Sequence, residues 1–229
     1  MYLSRIKLNT SLRKTMQAMA APNLFHGAIE NSESDARTRK LWRLDTLNGE
    51  KYLLILSRNK LDFSSVAEQF GYGTEYECKN YDGLLERITN GSKWHFRLKA
   101  NPTIQKSSHK DDRGKILAHI TTTHQEEWLI KRSEKNGFKL KDEEWLVTES
   151  RWYIFKKNKE QKNIATLKNT FPCTRRGDPK VKLLSVTYEG ILTVTDADAF
   201  RNALVNGIGR EKAYGLGLMT IVGVFQSTL

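Results

Sequence analysis

Hydrophobic positions along the chain switch between two periods, and the switches mark the elements. Over residues 2–8, Ser4, Ile6 and Leu8 alternate with Leu3, Arg5 and Lys7, an imperfect period of two that predicts a strand. Leu12, Met16 and Met19 then recur at helical spacing, with Thr10 or Ser11 placed to accept from the free N–H groups of a first turn. Pro22 interrupts this run, and residues 23–27 read as a turn or a second short helix. Two apolar-rich runs, Leu41–Leu47 and residues 51–56, flank Asn48-Gly49. Both turn residues tolerate positive φ, so this pair predicts a tight β-hairpin. Ser65 and Glu68 have the spacing of a capping box for a short helix reaching Phe70, and a further strand is expected within residues 75–88. The order is β-α-β-β-α-β, that of a ferredoxin-like domain.

Asn90-Gly91-Ser92 reads as a short linker, after which the order recurs. Residues 94–100 form a strand with Trp94, Phe96 and Leu98 on one face. Thr123 to Glu126 has capping-box spacing ahead of Trp128, Leu129 and Arg132, in a helix ending at Gly137. Residues 151–155 and 181–195 are β-rich; residues 196–206 put Phe200, Ala203 and Leu204 on one helical stripe; residues 216–225 form a closing strand. No sequence repeat accompanies the repeated order. The expected fold is α+β, two tandem ferredoxin-like (RRM-like, βαββαβ) domains over residues 1–90 and 93–229.

Charge narrows the partners. The 229 residues carry a formal net charge of +12, which favours a polyanion, since neutralised phosphates release counterions. The alternative is a protein that is merely basic. The excess is uneven: residues 103–182 hold 19 Lys and Arg against 11 Asp and Glu, the remainder 19 against 15. A local cluster is a better sign of a binding surface than a diffuse excess. Cys78 and Cys173 form no CxxC pair or disulfide framework, which suits a reducing cytoplasm. The first residues lack the apolar core of a signal peptide, and no run approaches the roughly 18 apolar residues of a membrane span, so a cytoplasmic location without membrane partners is expected.

Candidate chemistry is sparse. His26 follows the Pro22 break and precedes Gly27; a histidine titrates near neutrality and can move protons, though a helix-end histidine contacting a carbonyl would look the same. His119 and His124 lack the spacing or cysteine partners of a zinc site, His95 reads as a surface strand residue, and no carboxylate cluster resembles a two-metal nuclease centre. No metal and no cofactor is expected. Residues 207–217 place Gly207, Gly209, Gly215 and Gly217 around Lys212; such a loop can bring N–H groups to phosphate, or simply cap a helix and turn. Lys156, Lys157, Lys159 and Lys162 follow the aromatic run Trp152-Tyr153 and Phe155, with Arg175, Arg176, Lys180 and Lys182 beyond. This is either a strand–loop–strand finger with a cationic tip that contacts phosphates, or a solvated basic loop.

Five segments together resemble the CRISPR repeat-processing endoribonucleases of type I-E systems, the CasE family. They are Met1-Tyr2-Leu3-Ser4, Asn23-Leu24-Phe25-His26, the run Phe96-Arg97-Leu98-Lys99-Ala100-Asn101-Pro102, the run Tyr188-Glu189-Gly190-Ile191-Leu192-Thr193-Val194, and the 207–217 loop. Each is weak alone; their order over nearly the whole chain is specific. The resemblance implies tandem ferredoxin-like domains that bind the stem-loop of the repeat RNA and cleave at the 3′ base of its stem. It also implies that the product is retained as the protein joins the other subunits of the Cascade complex. The family's catalytic histidine falls on His26. Some relatives carry a tyrosine three residues before it; here that residue is Asn23, with Tyr2 or a nearby lysine as the alternative assisting group. Two other readings compete: a non-catalytic RNA-hairpin-binding subunit of the same fold, and a basic DNA-binding regulator, for which no helix-turn-helix or zinc-finger pattern is present.

Overall fold

A computed structural model describes residues 1–33, 38–106, 114–156 and 180–224. Its first half runs β1 (Tyr2–Lys7), α1 (Arg13–Ala20), α2 (Asn23–Glu30), β2 (Leu41–Leu47), β3 (Glu50–Ser57), α3 (Ser64–Phe70), β4 (Glu77–Asn80) and α4 (Asp82–Glu86). The antiparallel sheet order is β2-β3-β1-β4, the ferredoxin-like arrangement. Ile6 on β1, Trp42 on β2 and Leu53 and Ile55 on β3 pack against Ala18, Phe25, Ile29 and Phe70 of the helices. The Asn48-Gly49 hairpin forms as expected, both residues at positive φ.

The local caps differ from the sequence reading. Neither Thr10 nor Ser11 caps α1; Asn9 Oδ1 instead accepts from the Ser11 N–H at 3.0 Å, an Asx turn that sets the helix entry. Ser65 and Glu68 form no capping box: Asp62 accepts from the Ser64 N–H and hydroxyl, both at 2.9 Å. A carboxylate ahead of the helix outcompetes a hydroxyl inside it. The strand expected within residues 75–88 is only β4, because residues 82–86 turn into α4.

The second half comprises β5 (Lys93–Ala100), β6 (Thr103–Lys106), β7 (Lys115–Ala118), α5 (Thr122–Lys135), β8 (Phe138–Lys156), β9 (Lys180–Val194), α6 (Ala197–Asn206) and β10 (Met219–Gly223). Its antiparallel sheet, β10-β5-β9-β8, repeats the first topology, with the β6–β7 hairpin inserted after the first strand. Helix α5 is capped by Thr121, two residues before the expected box, and α6 by Asp196, whose Oδ1 accepts from the N–H groups of Asp198 and Ala199. Strand β8 begins at Phe138, well before the expected residue 151, and carries register shifts on either side of Trp145 to Val147. Tyr188 is fully buried at the centre of this core, stacked on Trp128, and its hydroxyl donates to the Gln125 carbonyl at 3.0 Å. The Asn90-Gly91-Ser92 link is pinned: the Gly91 N–H bonds the Val194 carbonyl, and Asn90 Oδ1 accepts from the Ala197 N–H.

The two halves meet along β2. Leu41, Leu54, Leu56 and Tyr81 of the first pack with Leu218 of the second. Arg43, 1% exposed, crosses this seam with all five of its N–H groups engaged. Nε and Nη2 hold both oxygens of Asp45 at 2.7 and 2.6 Å, Nη1 donates to the carbonyls of Arg97 and Leu218, and Nη2 also donates to Thr220 Oγ1. Burial raises the Asp45 pKa, but Arg43, Arg97 and Lys99 override it and hold the carboxyl below its usual range. Lys99 adds a further crossing bond, from Nζ to the Leu44 carbonyl. No helix among the described residues is long and apolar enough to cross a membrane.

Candidate active site and RNA interface

Residues 23–27 resolve as the start of a true helix, α2. Pro22 ahead of it suits a helix entry, where its missing N–H costs nothing. Phe25 and Ile29 face inward, with Phe25 against Trp42 and Phe70 at centroid distances of 5.8 and 4.8 Å. That packing fixes the rotation of α2 and puts His26 at the boundary of core and solvent, with 35% of its side chain exposed.

His26 does not stand alone. Its Nδ1 lies 3.9 Å from Glu30 Oε1, one turn on, and Glu30 Oε2 lies 3.8 Å from Lys40 Nζ. The Lys40 side chain is 1% exposed and makes a tighter pair with Glu33 at 2.8 Å. Burial lowers the His26 pKa, Glu30 raises it and Lys40 lowers it; the net direction is down. The imidazole is therefore mainly neutral at pH 7, with a nitrogen lone pair available to accept a proton. Sequence reasoning missed Glu30 and Lys40. Glu30 at i+4 from a histidine was the available signal; nothing in the sequence distinguishes Lys40 from a surface lysine.

The assisting groups are less well placed. Asn23 stands one turn before His26, and its Oδ1 is shielded from solvent without a hydrogen-bond partner among the described residues. Tyr2 lies on β1 in register with Ser57 and Asn80, and no hydrogen bond, ion pair or ring contact among the described residues joins it to His26.

The second half brings its cationic elements to the same seam. In the 207–217 loop, a 3-10 turn over Lys212–Tyr214 ends at Gly215, which is at φ 77°. A side chain at Gly215 would meet the Trp42 ring at 2.5 Å, so close packing already requires glycine there. Lys212 is partly buried; burial, then Arg39 and Arg132, lower its pKa. The β8–β9 ribbon roots beside α2: Phe155, Leu183 and Leu216 cluster with Ala21 and Tyr214. The ribbon's described end is the register pair Lys156 and Lys180, with Lys182 over the Trp152 ring at 4.6 Å. Lys157, Lys159, Lys162, Arg175 and Arg176 lie outside the described residues. The structure thus brings α2, the glycine-rich loop and the ribbon root together at one seam.

Known proteins share this architecture. A family described as CRISPR associated protein matches residues 1–222. The CRISPR-associated endoribonuclease Cse3 of Thermus thermophilus is 30% identical over 96% of this chain and 99% of its own. The CRISPR system Cascade subunit CasE of Escherichia coli is 28% identical over 56% of each chain. A solved structure of Cse3 bound to a 19-nucleotide RNA superposes with a TM-score of 0.76 at 24% identity, covering 97% of this chain and all of that one.

Proposed function

The chain belongs to the CRISPR-associated protein family that includes Cse3 and CasE, and from that membership and the geometry around His26 we propose how it works. It is an endoribonuclease that binds and cleaves the repeat RNA of CRISPR transcripts and serves with the other subunits of Cascade. The cut falls at the 3′ base of the repeat stem, and the product stays bound. The ribose 2′-hydroxyl just upstream of the scissile phosphate attacks that phosphorus while the bond to the 5′-oxygen breaks. The products are a 2′,3′-cyclic phosphate and a 5′-hydroxyl, with no water consumed. His26 takes the hydroxyl proton or supplies one to the leaving oxygen. Cations of the neighbouring loop and ribbon stabilise the charged phosphorane.

The observation that carries this reading is the half-buried, largely neutral imidazole on α2, the helix whose entry packs beside the glycine-rich loop and the ribbon root. The reaction so drawn needs no metal, since the nucleophile belongs to the substrate and an imidazole handles the proton. Single-turnover cleavage of repeat RNA should proceed at an unchanged rate in EDTA with the RNA folded in monovalent salt. Activity that vanishes there and returns with Mg²⁺ would overturn the metal-free mechanism. Absence of cleavage under both conditions, with binding retained, would favour a non-catalytic hairpin-binding subunit.

A further inference from the structure

Helix α5 carries His124, Trp128, Lys131 and Lys135 on one stripe, at three- and four-residue spacing. This stripe lines a groove of about 310 Å³ whose other wall is Thr103 and Ile104 of β6 and His119. Of the nine lining residues, five carry or can carry positive charge and one, Glu127, is acidic. Lys131, Arg132 and Lys135 have no carboxylate partner among the described residues.

Two N–H donors in the wall are also unsatisfied. Trp128 Nε1 and Arg132 Nε are shielded from solvent and reach no acceptor among the described residues, while the Arg132 guanidinium lies over the Trp128 ring at 4.7 Å. Shielded donors are normally paired, so this corner of the wall is under-satisfied and its cation is not neutralised by the described residues.

The groove is continuous with the glycine-rich loop. A side chain at Gly209 would come within 3.2 Å of the Trp128 ring. Burial, then Arg210, lowers the Arg132 pKa, and burial, then Arg39 and Arg132, lowers that of Lys212, so each of these cations feels a neighbour of like charge. Like charges so placed repel and are relieved by a polyanion. The cationic surface therefore runs from α5 across the loop toward the helix that bears His26.

We infer that the groove between α5 and the β6–β7 hairpin is a second binding site for the sugar–phosphate backbone of the same RNA, gripping phosphates away from the bond that is cut. This rests on the functional reading above. Lys131 and Lys135 act as point charges, and the Arg132 guanidinium, held over the Trp128 ring, adds a third. The site supplies affinity and register and takes no part in the chemistry.

The test uses the full chain and a repeat hairpin RNA carrying both flanks, with Kd measured over a salt series and cleavage followed in single turnover at saturating RNA. In Lys131→Ala/Lys135→Ala, whose side chains lie at the surface, affinity should fall about tenfold or more and the salt slope should flatten by roughly 0.7–0.9 per lost contact. The saturated rate should stay within about twofold of wild type. Arg132→Lys, which keeps charge but loses the planar guanidinium stacked on Trp128, should weaken binding with little change in slope. Unchanged affinity and slope in the double variant would overturn the site and leave this surface to an acidic protein partner. A wild-type chain that fails to prefer the repeat hairpin would instead overturn the functional reading, and the site with it.

Discussion

His26 sits between opposing influences, and the balance predicts how pH acts on it. Burial and Lys40 push its pKa down from 6.5, while Glu30 pulls it up. A histidine whose folded pKa is depressed binds its proton less readily in the folded state. Its contribution to stability is present above about pH 6.5 and is lost as pH falls through the window below. If His26 accepts the proton of the 2′-hydroxyl, the acid limb of the cleavage rate falls in that same window. Glu30→Gln removes the one influence that raises the pKa, so the limb should move to lower pH while the rate at pH 7.5 changes little. Single-turnover rates from pH 5 to 8 check this; a limb that stays in place makes Glu30 a bystander. His26→Ala should slow cleavage by ~10²–10⁴-fold, about 3–5 kcal/mol of barrier, with hairpin binding nearly intact. Cleavage by this variant at the wild-type rate, or of an RNA lacking the 2′-hydroxyl at the cut bond, would end the mechanism.

At the scale of elements, the legible parts were those with local causes. Asn48-Gly49 fixes its hairpin through two residues that accept positive φ, and Asp196 caps α6 one residue ahead of it. The β6–β7 hairpin escaped because its strands are four residues long, mostly exposed, and show no alternation. Helix α3 was found but its cap was misassigned, since Ser65 and Glu68 have the spacing while Asp62 has the stronger acceptor. The glycine-rich loop shows how two readings of one motif separate. Gly215→Ala puts a methyl group into Trp42 at positive φ, so thermal stability should drop in the absence of RNA. Lys180→Ala, exposed at the ribbon's described end, should leave the melting temperature unchanged yet flatten the salt dependence of binding, because a cation there acts on phosphate and not on the core. An unchanged melting temperature for the glycine variant would free the loop backbone from a packing role; an unchanged slope for the lysine variant would make the ribbon end a solvated loop.

At the scale of the molecule, what the sequence hid is what joins its halves. Both ferredoxin-like units and the basic character were readable; the role proposed for His26 came through family resemblance and not from its spacing. Arg43 was not: its partners Arg97, Leu218 and Thr220 are distant in sequence, and only the folded seam brings them together. We propose residues 1–90 and 93–229 as the two units, held in one orientation by this guanidinium, and the site depends on that orientation because α2 belongs to one unit and the loop and ribbon to the other. Arg43→Ala would leave the Asp45 carboxylate and two carbonyls buried without their donors, a change that typically costs about 3–5 kcal/mol. Asp45→Leu combined with Arg43→Met removes both charges, fills much of the same volume, and should recover a large part of that loss. Urea unfolding of the three proteins measures the stability terms, and cleavage at saturating RNA per folded molecule measures the alignment. The single variant should be both less stable and slower, the double variant closer to wild type in stability but still slower, since the bonds to Arg97, Leu218 and Thr220 that set the angle between the units are gone in both. A double variant that cleaves at the wild-type rate would show that the contacts left across the seam, the apolar packing of Leu41, Leu54, Leu56 and Tyr81 on Leu218 and the Lys99 bond to Leu44, are enough to align the site, and that Arg43 serves stability alone.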